Sequence, residues 1–162
     1  MSELTINGLD FEITIEPDYD MRWPWIEHDG HGILRQSCEK YKKPGEVIIF
    51  AERGNYWFYD FQETTKKAKL EKWGLTRQST REAVIANMDY CRVWLDGQIH
   101  WVFITVKNGE FEDSLGGIEY DERDNGKYAH ELAHELAENL AAQIERETIE
   151  RNEWACRDGV TT

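Results

Sequence analysis

Between Tyr128 and Trp154 the chain runs for 27 residues without a glycine or a proline. Within that stretch Tyr128, Ala129, Leu132, Ala133, Leu136, Leu140 and Ile144 recur at steps of three and four. Side chains at that spacing share one face of a 3.6-residue helix, so the segment is predicted to be one long amphipathic helix. A helix with a single apolar stripe must lay it on another element. The rest of the chain therefore has to supply a surface that receives it.

Upstream, turn signals separate short alternating segments. Leu4 and Ile6, then Phe11, Ile13 and Ile15, alternate with polar residues about Asn7-Gly8, which predicts a hairpin over Leu4–Pro17. Glu46–Phe61 reads as a second hairpin, turning at Arg53-Gly54-Asn55. Its arms Val47–Ala51 and Tyr56–Tyr59 are unbroken apolar runs, which predicts central strands covered on both faces. Ile99–Val106 and Phe111–Ile118 form a third hairpin about Asn108-Gly109. Two helices fill the interval: Gln62–Trp73, stopped at Gly74, and a second capped by Thr76 or Ser79 and running to about Leu95. Asp18–Gly45, broken by Pro24, Gly30, Gly32, Pro44 and Gly45, is expected to be irregular, although Trp23, Trp25, Ile26, Ile33 and Leu34 should tie it to a core.

The order ββ-ββ-αα-ββ-α predicts an α+β fold: an antiparallel sheet built from hairpins, covered by helices, with the long amphipathic helix at the C-terminal end. With no internal repeat, low-complexity tract or linker, residues 1–162 read as a single domain of ordinary size.

Cys38, Cys91 and Cys156 share no short spacing, so neither a disulfide framework nor a zinc knuckle is expected and the thiols should be reduced and partly buried. The first 16 residues hold four acids and no base, which is not the charged start of a signal peptide. The longest apolar run, Val47–Ala51, falls far short of the ~20 residues of a membrane helix. The expectation is a cytoplasmic protein without a membrane partner.

The formal charge is −13 and unevenly spread: −7 over residues 1–34, +5 over 35–81 and −11 over 82–162. A field of that sign opposes direct binding of nucleic acid and attracts basic protein surfaces.

His130-Glu131-Leu132-Ala133-His134 matches H-E-x-x-H on the predicted helix. Histidines four apart lie on one helical face and can hold one zinc ion, with the intervening Glu activating the bound water. Eighteen residues separate His134 from Glu153, which follows Asn152. The whole resembles the gluzincin pattern of the M1 aminopeptidases. That resemblance implies a zinc-dependent hydrolase with His130, His134 and Glu153 as ligands and Glu131 as general base. Against it, nothing between Glu135 and Arg151 breaks the helix, and an unbroken helix would hold His134 and Glu153 about 28 Å apart.

Other clusters carry weaker chemistry. His28-Asp29-Gly30-His31-Gly32 reads as a glycine-rich turn with incidental histidines. Asp121–Gly126 fails as a calcium loop, since Arg123 and Leu132 fall where oxygen ligands are needed. Lys66, Lys67, Lys69 and Lys72 beside Tyr59, Phe61 and Trp73 have the composition of a base-stacking platform, but read more simply as a solvated helix face. Phosphate-cradling and nucleophile-elbow motifs are absent.

The strongest candidate is acidic. Glu131, Glu135, Glu138 and Glu145 lie opposite the apolar stripe of the last helix, and carboxylates at i, i+4 spacing sit ~6 Å apart. Asp121, Glu122 and Asp124 add charge just before it. Such a face can imitate the phosphates of DNA.

A separate set of segments, Asp18-Tyr19-Asp20, Pro24–Gly32, Lys43-Pro44-Gly45-Glu46, Arg53-Gly54, Tyr59-Asp60-Phe61 and Ser114–Glu119, resembles a group of uncharacterised tailed-bacteriophage accessory proteins. What the resemblance implies is context: small acidic phage proteins often inhibit host enzymes. The sequence therefore leads to a non-catalytic acidic protein, phage-encoded, of anti-restriction or anti-CRISPR type. Its expected partner is the basic surface of a host nucleic-acid-binding or defence protein in the host cytoplasm. No cofactor is expected, with zinc the alternative.

Overall fold

The computed structural model describes residues 1–74 and 77–157. In chain order its elements are β1 (Ser2–Ile6), β2 (Leu9–Pro17), α1 (Pro24–Glu27), β3 (Leu34–Ser37), β4 (Glu46–Glu52), β5 (Asn55–Asp60), α2 (Phe61–Glu71), α3 (Arg77–Leu95), β6 (Ile99–Asn108), β7 (Phe111–Asp121) and α4 (Lys127–Arg157), with a 3-10 turn at Glu122–Asp124. The fold is α+β with two sheets, and α4 is the expected long C-terminal helix. No helix among the described residues is long and apolar enough to cross a membrane. The chain divides into two compact units: unit 1, Met1–Tyr19 with His100–Thr162, and unit 2, the excursion Asp20–Ile99.

Unit 1 holds the four-stranded sheet β1-β2-β6-β7. Asn7 (φ 52°) and Gly8 (φ 79°) make the two-residue turn between β1 and β2, with the positive φ pair that matches strand twist. Beyond the paired Pro17 and Val102, the Asp18 N–H donates to the Trp101 carbonyl at 2.9 Å, so the strands that bracket the excursion are laced together at its base.

Phe11, Ile13, Val102, Ile104 and Val106 form the inner face of this sheet, and α4 covers it with Ala129, Ala133, Ala137, Leu140, Ala141 and Ile144. The apolar stripe is therefore centred on alanines. Leu132 and Leu136 pack along its margin, and Tyr128 is 57% exposed rather than part of it. Small residues let the helix backbone settle close to a sheet already filled by β-branched side chains. Burial ends at Ile144, so the last 13 residues of α4 continue about 20 Å with no buried side chain.

Unit 2 holds the three-stranded sheet β3-β5-β4. β5 is the central strand that its apolar run predicts, with Trp57, Phe58 and Tyr59 all buried. β4 is an edge strand instead, with a register shift between Ile48 and Phe50. β3 lies in the stretch expected to be irregular. One apolar residue in Leu34-Arg35-Gln36-Ser37 gives no alternation, and the strand is set by distant partners: Ile33 N–H donates to Thr64 Oγ1 at 3.0 Å and Asp60 N–H to the Ile33 carbonyl at 2.9 Å.

Arg35 spans that sheet. Its guanidinium lies 4.1 Å over the Phe58 ring and donates to both carboxylate oxygens of Glu46, at 2.7 and 2.9 Å. Glu46 also accepts from Lys43 N–H at 2.6 Å, so this buried carboxylate is fully satisfied and Arg35 holds it below the usual carboxylate range. Trp23 and Trp25 stack at 5.0 Å and meet Trp57 edge-on at 5.6 and 5.5 Å.

Asp60 caps α2 by accepting from Glu63 N–H at 2.9 Å. The helix stops at Lys72, which takes the left-handed conformation (φ 57°), one turn feature earlier than Gly74. Gly74 serves a different need, because a Cβ there would sit 2.5 Å from the Ser79–Thr80 backbone. Ser79 lies inside α3 and does not cap it, while Thr76 falls outside the described residues.

Candidate functional site

The acidic corner before α4 is built by its own acids. Asp121 accepts from Arg123 N–H at 3.0 Å and from the Arg123 guanidinium at 2.9 and 2.8 Å, which holds its carboxyl below the usual range. Asn125 then turns the chain in the left-handed conformation, and Asp124 accepts from Lys127 N–H at 3.2 Å, capping α4. Asp121 and Asp124 thus serve the turn. Glu122 accepts from His100 Nε2 at 2.7 Å across the end of the sheet.

Along α4, Glu131, Glu135, Glu138 and Glu145 are all exposed, at sequence steps of four, three and seven. This is one stripe, running about 21 Å along the helix. Glu138 pairs with His134 at 2.9 Å. Glu131, Glu135 and Glu145 have no ion-pair partner among the described residues.

The two histidines of the H-E-x-x-H segment do separate things. His134 makes the i, i+4 pair with Glu138, whereas the His130 ring meets Tyr120 edge-on at 6.2 Å. α4 is continuous through Glu153, so His130, His134 and Glu153 are not brought together. Among the described residues no group of three or more His, Cys, Asp or Glu is placed to hold a metal ion. The geometry a gluzincin centre needs, with Glu131 beside a metal-bound water, is not assembled.

In unit 2 one member of the second histidine pair, His31, belongs to a polar hub that spacing did not reveal. Asn87 Oδ1 accepts from Gly32 N–H and from the Tyr59 hydroxyl, each at 2.9 Å. That fixes the amide, so Asn87 Nδ2 faces His31 Nδ1 at 3.0 Å as donor. His31 is therefore neutral there, with its proton on Nε2. Burial, then the charges of His28 and Lys67, push its pKa below the usual imidazole value. The ring stacks on Tyr90 at 5.4 Å, and Lys67 Nζ donates to the His31 carbonyl at 2.7 Å. A Cβ on Gly32 would overlap the Tyr59 ring, which explains the glycine.

The same contacts dismantle the base-stacking platform. Tyr59 is fully buried, Lys67 is engaged with His31, and Lys66 pairs with Glu63 at 3.0 Å. Of the thiols, only Cys91 is buried, which pushes its pKa up to about 12, while Cys38 and Cys156 are exposed.

Sorting charge by unit sharpens what the linear sequence blurred. Residues 1–19 and 100–162 carry 20 acids and 6 bases, a formal −14; residues 20–99 carry 12 acids and 13 bases, a formal +1. The acidic ends of the chain are one body. No protein-family model, curated protein or solved structure matches this chain.

Proposed function

We propose that the chain is a non-catalytic binding protein whose unit 1 docks on the basic, nucleic-acid-binding surface of another protein in the manner of a nucleic-acid mimic. One observation carries the reading: a formal −14 is confined to a unit of about half the chain, with the carboxylates of Glu131, Glu135 and Glu145 exposed and unpaired along one helix. Exposed like charge on a folded surface repels itself, so a chain that gathers it in one body gives up stability there. A complementary basic surface recovers that loss on binding. The phage resemblance supports a target among host nucleic-acid-binding or defence proteins, of the restriction or CRISPR kind.

The test starts from the partner recovered from host extract. Its affinity should fall as salt rises, and DNA or RNA should compete with unit 1 for it. A Glu131→Lys, Glu135→Lys, Glu138→Lys, Glu145→Lys variant should fold and lose the partner, association rate first. A folded variant that binds at full strength refutes the reading.

A further inference from the structure

The end of the unit 1 sheet, beside the start of α4, holds a groove of about 370 Å³. That is the lower end of the range for small-ligand pockets, ~300–1,000 Å³. Ile15 and Val102 give it an apolar floor, and His100, Tyr120, Glu122 and His130 stand along it. The last four form a row. The His100 ring stacks on Tyr120 at 5.2 Å with 28° between planes, and His130 meets the other end of that aromatic row. His100 Nε2 holds Glu122 at 2.7 Å, taking up one carboxylate oxygen and leaving the other for a ligand. Gly126 keeps the Tyr120 ring in place, since a Cβ there would overlap it.

We propose that this groove receives an arginine side chain of the partner. Its methylenes would lie on Ile15 and Val102, and its guanidinium along the edge of the His100–Tyr120 row with Glu122 as acceptor. Three properties select this occupant. The unit that holds the groove carries a formal −14, and two carboxylates, Glu16 and Glu122, line the groove itself, which favours a cation. A carboxylate with one free oxygen at the edge of an aromatic row suits a planar, weakly hydrated guanidinium better than a compact, strongly hydrated ammonium. An apolar floor under a charged rim matches a side chain with an apolar stem and a charged head. Glu122 joins the groove to the acidic face, so the inference rests on the docking reading above and names one residue type its partner must present.

The test uses the full chain and a defined probe, Nα-acetyl-arginine methylamide, with the neutral, isosteric citrulline derivative as control. Ring resonances of His100, Tyr120 and His130 are followed by NMR. The expected result is a saturable shift of all three. The affinity should drop about tenfold or more with the citrulline probe and in Glu122→Gln, the usual scale of one charge-assisted hydrogen bond. Glu122→Gln retains an acceptor for His100 and alters an exposed side chain, so the groove keeps its shape. Absence of a saturable shift, or equal binding of the two probes, overturns the proposal. The outcome separates from that of the docking reading. The quadruple Glu→Lys variant of α4 should lose the partner yet still bind the arginine probe, whereas Glu122→Gln should lose the probe whatever happens at α4.

Discussion

The two units spend their polar residues in opposite ways. Unit 2 turns its polar groups inward: Asn87 ties Gly32, Tyr59 and His31, and Glu46 ties Arg35 and Lys43. The groups of these two networks are satisfied, and the unit is close to neutral. Unit 1 has an apolar interior, packed with alanines from one side and β-branched residues from the other, and turns its carboxylates outward. Buried polar groups specify a fold only when all are paired. Exposed like charges specify nothing about the fold and weaken it slightly. The contrast assigns specification of structure to the hub of unit 2 and long-range attraction to the surface of unit 1.

The contrast predicts different sensitivities. Leu140→Ala in unit 1 removes one of the two large side chains of the buried α4 stripe and should cost about 2–5 kcal/mol in urea unfolding. Leu136→Ala should cost less, because Leu136 packs at the margin. Equal losses would mean that the stripe is centred on the leucines after all. In unit 2, Asn87→Ala leaves the Gly32 N–H without its acceptor and leaves the Tyr59 hydroxyl its longer contact to the Val84 carbonyl at 3.4 Å, and should cost about 1–3 kcal/mol. Hydrogen exchange checks the cause. The Gly32 amide should lose protection in the variant, and unchanged protection would remove Asn87 from the centre of the hub.

Acid separates the units in a second way. The fold holds His31 below its ordinary value of about 6.5, so the folded state binds fewer protons than the unfolded one. The stability it contributes is complete above pH 6.5 and declines as pH falls through the lower folded value. Protonation also sets a new N–H on Nδ1 against the Asn87 amide donor. Between pH 7 and pH 5 unit 2 should lose protection while the α4 core of unit 1 keeps it, and His31→Gln should flatten that dependence. Loss of protection in unit 1 first would assign the acid sensitivity elsewhere.

Most of the architecture was legible because it rests on local signals. Asn7-Gly8, Asn108-Gly109 and the unbroken run after Tyr128 each declare an element from within a few residues. What stayed hidden depends on partners far along the chain. β3 has no pattern of its own and exists because Ile33 meets Thr64 and Asp60. Asn87 is one polar residue on a helix, and its partners at positions 31, 32 and 59 are 28 to 56 residues away. The acidic face of α4 followed from a helical wheel, since exposure along a single helix is periodic. The row of His100, Tyr120, Glu122 and His130 could not, because four elements bring it together: β6, β7, the 3-10 turn and α4. Tyr128 and Leu136 were assigned by spacing alone, which counts apolar positions without weighing their size.

The smallest effect tests the charge side of the comparison. On β1 and β2, Glu3 stands directly opposite Glu12, and on the next strand Glu12 stands opposite Lys107. Directly opposed side chains share one face of the sheet and interact by roughly 0.2–1 kcal/mol, with like charges unfavourable. Glu3→Lys converts the row Glu-Glu-Lys to Lys-Glu-Lys, relieves one repulsion and adds one attraction. It also lowers the net charge of unit 1 from −14 to −12. The variant should therefore be more stable than the parent by roughly 0.2–1 kcal/mol at low salt. The gain should shrink as salt is raised towards 1 M, where the screening length falls to about 3 Å. The same titration with salt should stabilise unit 1 of the parent chain and leave unit 2, at +1, nearly unchanged. A Glu3→Lys variant no more stable than the parent at low salt would mean that the surface charge of unit 1 costs the fold nothing. Its confinement to one unit would then lose its energetic argument for a basic partner.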